Sequence, residues 1–535
     1  MQVLLQHLIV LPVLLPLLIG AALISINERH HRLKFMLNLF SCLSLLAVSV
    51  LILYLADTGF WPDNVGVFFA ANWIAPFGIV LMADRLSGLM LVLIAVIACC
   101  ALIYSYSRWA RLGVHFHSLL QFLLMGMCGS VLTADLFNLF VFFEVMLAAS
   151  YGLLLHGYNV HRVRAGMQYI AVNLLASVFF LIGIALIYTA AGTLTYADIA
   201  DNVAALSTEN RRLFQTGVSV VAVAFLTKAA IWPLGFWLPA TYAAAAPPVT
   251  ALLVMLTKVG VYIVLRLYLL LFSAEAGLSV GFGGDWLFWG GILTMAFGAS
   301  GLLASQEAGR MASYSAVISS GTLMAVIGYG QPALIGPGLY YLFSSTLAVA
   351  AFSLLIELNE RIYKPEGSLK EMALEVLAVD EVKPAASGLL LQGAIAFLGL
   401  AFVGCAIIMA GLPPLSGFVA KFGLVHTLLN KDNLALVTVN SLFFTAMLFM
   451  AGLAAIVSLM RLGVRTFWTT QPAQPPKLRW TEAVPVSLLL LLCFVLTSAA
   501  GPVMQLLNRA SQDLHQTKTY IQRVLPKQQP ATGGE

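Results

Sequence analysis

An all-α polytopic membrane protein of about fourteen transmembrane helices is the fold class the sequence predicts, and three observations carry it. Of 535 residues, 61% are hydrophobic and only 10% charged, whereas a soluble domain carries about 25% charged residues. The mean hydropathy is +0.94. Apolar runs of the roughly 20 residues needed to cross a hydrocarbon core recur from one end of the chain to the other. The 21 prolines and 43 glycines agree with this class, because membrane helices tolerate both where neighbours re-satisfy the backbone.

The runs fall near 3–26, 33–56, 79–106, 114–133, 135–157, 166–191, 215–240, 247–272, 286–305, 311–329, 333–357, 389–429, 433–463 and 481–508. The first lacks a basic leader and continues as an ordinary span, so no cleaved signal is expected. Proline interrupts the seventh and the twelfth, and the twelfth is long enough for two half-helices. The stretch 359–388 is the one long charged connection. Its "LKEMALEVLAV" (369–379) spaces apolar residues as an amphipathic surface helix does. After Arg509 the chain turns polar, and 509–535 reads as a disordered tail.

Loop charges predict the orientation. Arg29, Arg32 and Lys34, Arg108 and Arg111, Arg162 and Arg164, Arg310, the basic cluster Arg361, Lys364, Lys370 and Lys383, and the group Arg461, Arg465, Lys477 and Arg479 follow alternate runs. They mark the cytoplasmic side. The other loops hold Asp57, Asp63, Asp198, Asp201 and Asp285, with Arg211, Arg212, Arg266 and Lys431 against them. Both termini are therefore expected outside.

Inside the runs a few charges stand out: Glu144, Lys228, Lys258 and Lys421, with Asp84, Arg85 and Asp135 near run ends. A central charge costs about 2.5–3.5 kcal/mol on insertion scales. Four of them cost about 10 kcal/mol or more, which pairing and internal water must offset. Glu144 lies nine residues after Asp135, roughly 13 Å along a helix and near mid-membrane. Ionisable groups at that depth usually mark ion pathways, and Lys228 supplies an opposite charge. A buried ion pair that only fixes packing is the simpler alternative. Lys258, well inside the eighth run, reads as a relay lysine or as one that snorkels.

Lys228 precedes Pro233 in "TKAAIWPLGFWLP", and Lys421 follows Pro413 and Pro414 in "AGLPPLSGFVAKF". Proline lacks an N–H and clashes with the preceding turn, so a helix break is predicted beside each lysine. A proline followed by L-(S)-G-F thus recurs in runs seven and twelve. A recurrence five runs apart implies two five-helix repeats of inverted topology, with broken helices at mid-membrane. Proline kinks that only shape packing are the alternative.

Several classes are excluded or lack support. Phosphate-loop and dinucleotide motifs are absent, and no soluble segment is large enough for a nucleotide. The six cysteines show no ligand spacing and read as buried, inert thiols. The nine histidines are scattered, His156 and His426 among them, and read as interface positions. No cofactor and no metal site is expected, and a net charge of +5, spread along the chain, does not suggest nucleic acid. Energy must come from an ion gradient or a partner.

The segments "DLFNLFVFFEVMLAASYGLLL" (135–155), "LTKAAIWPLGFWLPATYAAAAPPVTALLVMLTKVGVY" (226–262) and "AGLPPLSGFVAKF" (410–422) resemble the antiporter-like subunits shared by respiratory complex I and Mrp-type antiporters. The first looks most like the D-type member of the Mrp/Pha-type multisubunit monovalent cation/proton antiporters, and the resemblance runs from "PFGIVLMADRLSGLM" (76–90) through the thirteenth run. It implies fourteen helices with inverted repeats at helices 4–8 and 9–13. The chain then divides into 1–113, a first repeat 114–272, a second repeat 286–465, helix 14 at 481–508 and the tail. It implies that Glu144 pairs with Lys228, that Lys258 carries protons toward the centre, and that Lys421 serves a second half-channel. It implies a bacterial inner membrane, other membrane subunits including a larger homologue, and exchange of H+ against Na+ or K+. One departure shows in "LYYLFSSTLAVAAFSLLIE" (339–357): where many relatives place a histidine and then a lysine, this chain has Ser344 and Ala348. A proton-pumping subunit of a quinone- or ferredoxin-linked oxidoreductase is the alternative, which Lys421 disfavours. A non-transporting scaffold fits the buried charges poorly.

Overall fold

The computed structural model describes residues 6–73, 78–157, 160–360, 393–429, 438–468 and 478–525. Nineteen α-helices lie among them. They are α1 (Leu11–Ser25), α2 (His31–Asp57), α3 (Arg85–Ser105), α4 (Phe116–Leu132), α5 (Leu136–Leu155), α6 (Val160–Ala191), α7 (Tyr196–Asn202), α8 (Thr208–Lys228), α9 (Leu238–Ala244) and α10 (Pro247–Leu271). The chain continues through α11 (Gly284–Ala304), α12 (Ala308–Tyr329), α13 (Pro332–Glu360), α14 (Gly393–Ala410), α15 (Ser416–Leu429), α16 (Val439–Phe467), α17 (Trp480–Ser498), α18 (Ala500–His515) and α19 (Thr517–Val524). Among the described residues, twelve helices are long and apolar enough to cross a membrane, and α4 and α15 are shorter apolar helices. The protein is therefore a multi-pass, helical membrane protein.

Local chemistry sets the ends. Asp84 caps α3 by accepting from Ser87 N–H, and Ser87 returns its hydroxyl to the cap; the two orphan donors are satisfied reciprocally. Asp135 caps α5 through the N–H groups of Phe137 and Asn138. Pro247 opens α10, where its missing N–H is not needed. The run expected from residue 79 starts differently: Val80–Ala83 pairs with Gly66–Phe69 as a small antiparallel hairpin before α3 begins.

The window of α10 that would cross the membrane is entirely buried, while α1, α14 and α17 bury only about a third of theirs. So α10 is the central helix, packed on α8, α12 and α13. Beside it α11 and α12 touch backbone to backbone. A Cβ on Gly328 would lie 2.2 Å from the nitrogen of Phe288, and one on Gly291 would lie 2.5 Å from that of Ala325. Small residues let membrane helices approach in this way.

Two sequence expectations need correction here. Arg266 is not a loop residue; it lies inside α10, buried. The segment after Arg509 is not disordered through Val524: α18 continues to His515 and α19 follows. Its apolar residues recur on one face, with Ala510, Tyr520 and Val524 buried. Its charges find partners: Arg509 and Asp57 (3.1 Å), Asp513 and Arg85 (2.6 Å), Lys518 and Glu275 (3.0 Å), and Arg523 and Asp63 (2.5 Å). The expected amphipathic segment 369–379 and the last residues of the tail lie outside the described residues.

Candidate functional site

Both expected breaks are present. α8 ends at Lys228, and helix resumes only at Leu238. Between them Ala230 adopts a left-handed φ of 58° and Trp232 N–H donates to Thr294 Oγ1 on α11 at 2.9 Å. Gly235 is required there, since a Cβ would lie 2.2 Å from the Ala230 carbonyl oxygen. The second break runs from Ala410, the end of α14, to Ser416, the start of α15. Pro233 and the pair Pro413–Pro414 occupy the two breaks. The lysines, however, sit on opposite sides of them: Lys228 closes the helix before the first, and Lys421 lies on the helix after the second.

Lys228 is fully buried, and its Nζ has no hydrogen-bond partner among the described residues. The ammonium lies 4.6 Å from the centre of the Phe143 ring, a cation–π contact. Glu144 is half-buried and accepts a hydrogen bond from Ser177 on α6. The expected direct Glu144–Lys228 ion pair is not formed within 4.0 Å among the described residues. The reason is helical geometry: neighbours in sequence point about 100° apart, so Phe143 faces α8 while Glu144 faces α6.

Lys258 is 1% exposed, and its Nζ donates to Ser320 Oγ on α12 at 3.3 Å. A side chain that snorkels would reach for the interface instead; this one is held inside. From α12 the hydroxyls continue. Ser319 and Ser345 Oγ are 2.8 Å apart, and Ser344 donates to Ser416 Oγ at 2.8 Å. A cavity of about 30 Å3 follows, lined by Ser344, Ser345, Tyr341, Gly417 and Lys421. That is room for about two waters. Lys421 donates to the carbonyl oxygens of Ala410 at 2.7 Å and Met409 at 3.5 Å. These carbonyls end α14, where orphan acceptors and the helix dipole favour a cation. Ala348 is buried beside this line and contributes no polar group.

Asp135 caps the same helix that carries Glu144. His156 bonds the Trp109 carbonyl at 2.8 Å, Arg310 pairs with Glu307 at the surface, and His426 sits in the last turn of α15. All six cysteines are free and buried. Among the described residues no group of three or more His, Cys, Asp or Glu is placed to hold a metal. Sequence reasoning missed Ser177, Ser320 and the Arg266–Asp84 pair, whose guanidinium donates to both carboxylate oxygens at 2.8 Å. Only the apolar surroundings of Arg266 hinted at its burial. The arrangement offers one half-buried carboxylate, three lysines and a run of hydroxyls, all chemically able to hold or pass protons.

Comparison with known proteins is consistent across sequence and structure. Residues 133–448 match the family described as "NADH:quinone oxidoreductase/Mrp antiporter, TM". The D subunit of a probable K(+)/H(+) antiporter from Rhizobium meliloti is 48% identical over 528 residues, covering 97% of this chain and 98% of the relative. The D subunit of an Na(+)/H(+) antiporter from Alkalihalophilus pseudofirmus is 33% identical, covering 97% and 99%. Among solved structures, a chain of the Mrp complex from a Dietzia species superposes with a TM-score of 0.82 at 26% identity, covering 97% and 99%.

Proposed function

The chain belongs to the NADH:quinone oxidoreductase/Mrp antiporter transmembrane family, and from that membership we propose that it is the proton-translocating subunit of a multisubunit monovalent cation (Na+ or K+)/H+ antiporter. The observation that carries the reading is the polar line through an otherwise apolar interior. Ser177 bonds Glu144, Lys228 is buried against Phe143, Lys258 crosses from α10 to α12 at Ser320, and the serine pairs Ser319–Ser345 and Ser344–Ser416 stand between α12 and the cavity that Lys421 lines. Buried ammonium groups with so few partners are costly unless their charge is used.

The architecture read from the sequence supports this function. Fourteen spans result when α4, the charged α8 with α9, and the broken α14–α15 are counted with the remaining spans. Within them 114–272 and 286–465 form two inverted repeats after an N-terminal unit, 1–113, and both termini lie outside. Loops assigned to one side do meet in the fold: Glu28 reaches His115, and Arg108 reaches Glu357. On the opposite side Asp57, Asp63 and Glu275 meet the C-terminal helices.

Protons moving inward down their gradient would drive cation export. One elementary charge crossing 100 mV carries about 2.3 kcal/mol, the size of one charged hydrogen bond. Protonation at one lysine can therefore bias the occupancy of the next. Glu144, Lys228, Lys258 and Lys421 are the proton-carrying groups, with Asp135, Pro233, Pro413 and Pro414 supporting them. Relatives bearing antiporter names across nearly their full length favour this reading over an oxidoreductase subunit.

The test is dye-quenching antiport in inverted vesicles from antiporter-deficient cells that co-express this chain with its operon partners. Na+- or K+-dependent proton movement is expected from the assembled complex, and none from this chain alone. An assembled complex that moves protons with neither cation would overturn the proposal.

A further inference from the structure

Lys258, Tyr262 and Arg266 recur every four residues along α10, so they share one face. Each lies about 6 Å further along the axis than the last. All three are buried. Tyr262 donates its hydroxyl to the Val131 carbonyl at 2.7 Å, and the Arg266 guanidinium lies 5.2 Å from the Tyr262 ring centre. The line ends in the Arg266–Asp84 pair, which leads to the face that holds Asp57, Asp63 and Glu275.

Beyond that pair is a cavity of about 30 Å3, framed by Asp63, Asp84, Arg266, Asp513, Thr517 and Tyr520. Its roof is α18 and α19, strapped across the surface by the four ion pairs given above. Two donors in its wall have no protein partner among the described residues: Arg266 Nε and the Tyr520 hydroxyl. Both residues are more than nine-tenths buried, at 4% and 8% exposure. α19 packs against α7, where the buried Tyr196 hydroxyl also lacks a partner among the described residues. A water needs roughly 10–15 Å3 and two to four polar neighbours. This cavity has room for about two waters, with carboxylate acceptors and unpaired donors in its wall. An apolar void would stay dry; this one is built to be wet.

We propose that this cavity is a water site that passes protons between the Lys258–Tyr262–Arg266 face and the outer surface, beneath the C-terminal strap. It rests on the reading that Lys258 carries protons. A water in the cavity takes up one proton and gives up another, with Asp84 and the Tyr520 hydroxyl as neighbouring acceptor and donor. One proton crosses, and no other bond changes. Arg266 stays protonated, as guanidinium does throughout proteins. It is a fixed positive charge that balances Asp84 and takes no part in the transfer itself.

The experiment uses the co-expressed complex. Tyr520→Phe keeps the ring and removes a hydroxyl that bonds no protein group, so a dry cavity predicts no loss. A wet relay predicts antiport about tenfold slower, the factor carried by one hydrogen bond, together with a larger solvent deuterium effect. Tyr262→Phe is expected to act likewise. X-ray hydroxyl-radical footprinting should mark Tyr520 and Leu514, which line the cavity, in the unmodified complex. Wild-type rates and isotope effects in both variants, or unmarked residues at the cavity, would overturn the proposal. Lys258→Ala separates the two levels: normal transport in that variant sinks the reading of Lys258 itself, whereas loss there with a neutral Tyr520→Phe sinks only the cavity.

Discussion

Ser320→Ala removes the hydroxyl that receives the Lys258 ammonium. Both residues are buried, the bond is 3.3 Å, and it links the central helix α10 to α12. A hydrogen bond to a charged group contributes about 1.5–3 kcal/mol. Each 1.36 kcal/mol is about a factor of ten in rate. Removing the bond should therefore slow transport by about ten- to a hundredfold, provided it steadies Lys258 in the rate-limiting state. Ser320→Thr keeps a hydroxyl at the same place and should recover most of the rate, whereas a purely steric role would make it no better than alanine. The assay is initial dye quenching in inverted vesicles, normalised to the amount of assembled complex, with Na+ and K+ titrated separately. If Ser320→Ala transports at the normal rate while Lys258→Ala is inactive, the hydroxyl takes no part and the path leaves Lys258 another way.

Glu144→Gln should abolish antiport with assembly intact, and Ser177→Ala, which removes only its hydrogen bond, should cost about tenfold; both are read in the same quenching assay. Lys421→Glu should be no better than Lys421→Ala, because a carboxylate would face the carbonyl oxygens of Ala410 and Met409 that now hold the ammonium; measurable transport by the glutamate variant alone would contradict this. Burial acts to raise the Glu28 carboxyl, but its bonds and charge contacts with Lys34 and His115 outweigh burial and hold it below the ordinary 4.5. A depressed carboxyl contributes stability above its unfolded value and loses it as pH falls through the folded one. Hydrogen exchange at the start of α4 should therefore stay protected from neutral pH down to about 4.5 and loosen only below it, and Glu28→Gln should remove that acid step.

The four central charges were legible because each one violates the apolar pattern around it, and a violation that costs several kcal/mol is a strong signal. The helix breaks were legible because proline acts locally. What failed depended on direction or distance. Glu144 and Lys228 have opposite charges at similar depth, yet which way a side chain points depends on helix rotation. Phe143, one residue earlier, is the group that faces Lys228. Arg266 lies near the end of its apolar run, where a loop is the simpler reading of the sequence. Its partner Asp84 is 182 residues away, and nothing in either segment announces the other. Polarity alone makes the tail read as disordered. Its apolar residues recur on one face and are buried, while its charges meet complementary partners on Asp57, Arg85, Glu275 and Asp63.

The serine line was hidden for a different reason. A hydroxyl in an apolar helix commonly bonds back to a carbonyl one turn earlier and so hides its polarity. Ser353 does this with Val349 on α13, as do Ser313 with Gly309 and Thr322 with Ile318 on α12. Ser344 and Ser320, on the same two helices, instead meet Ser416 and Lys258 on other helices. In sequence the two kinds of serine are identical; only packing separates them. The histidine and lysine that the family resemblance leads one to expect are missing from the sequence, so the second half of the polar line reads as interrupted at Ser344 and Ala348. Packing places a small cavity beside Ser344 that reaches Lys421. A hydroxyl with two waters can bridge where a longer titratable side chain reaches directly, because a bridging water bonds nearly as well as a direct partner.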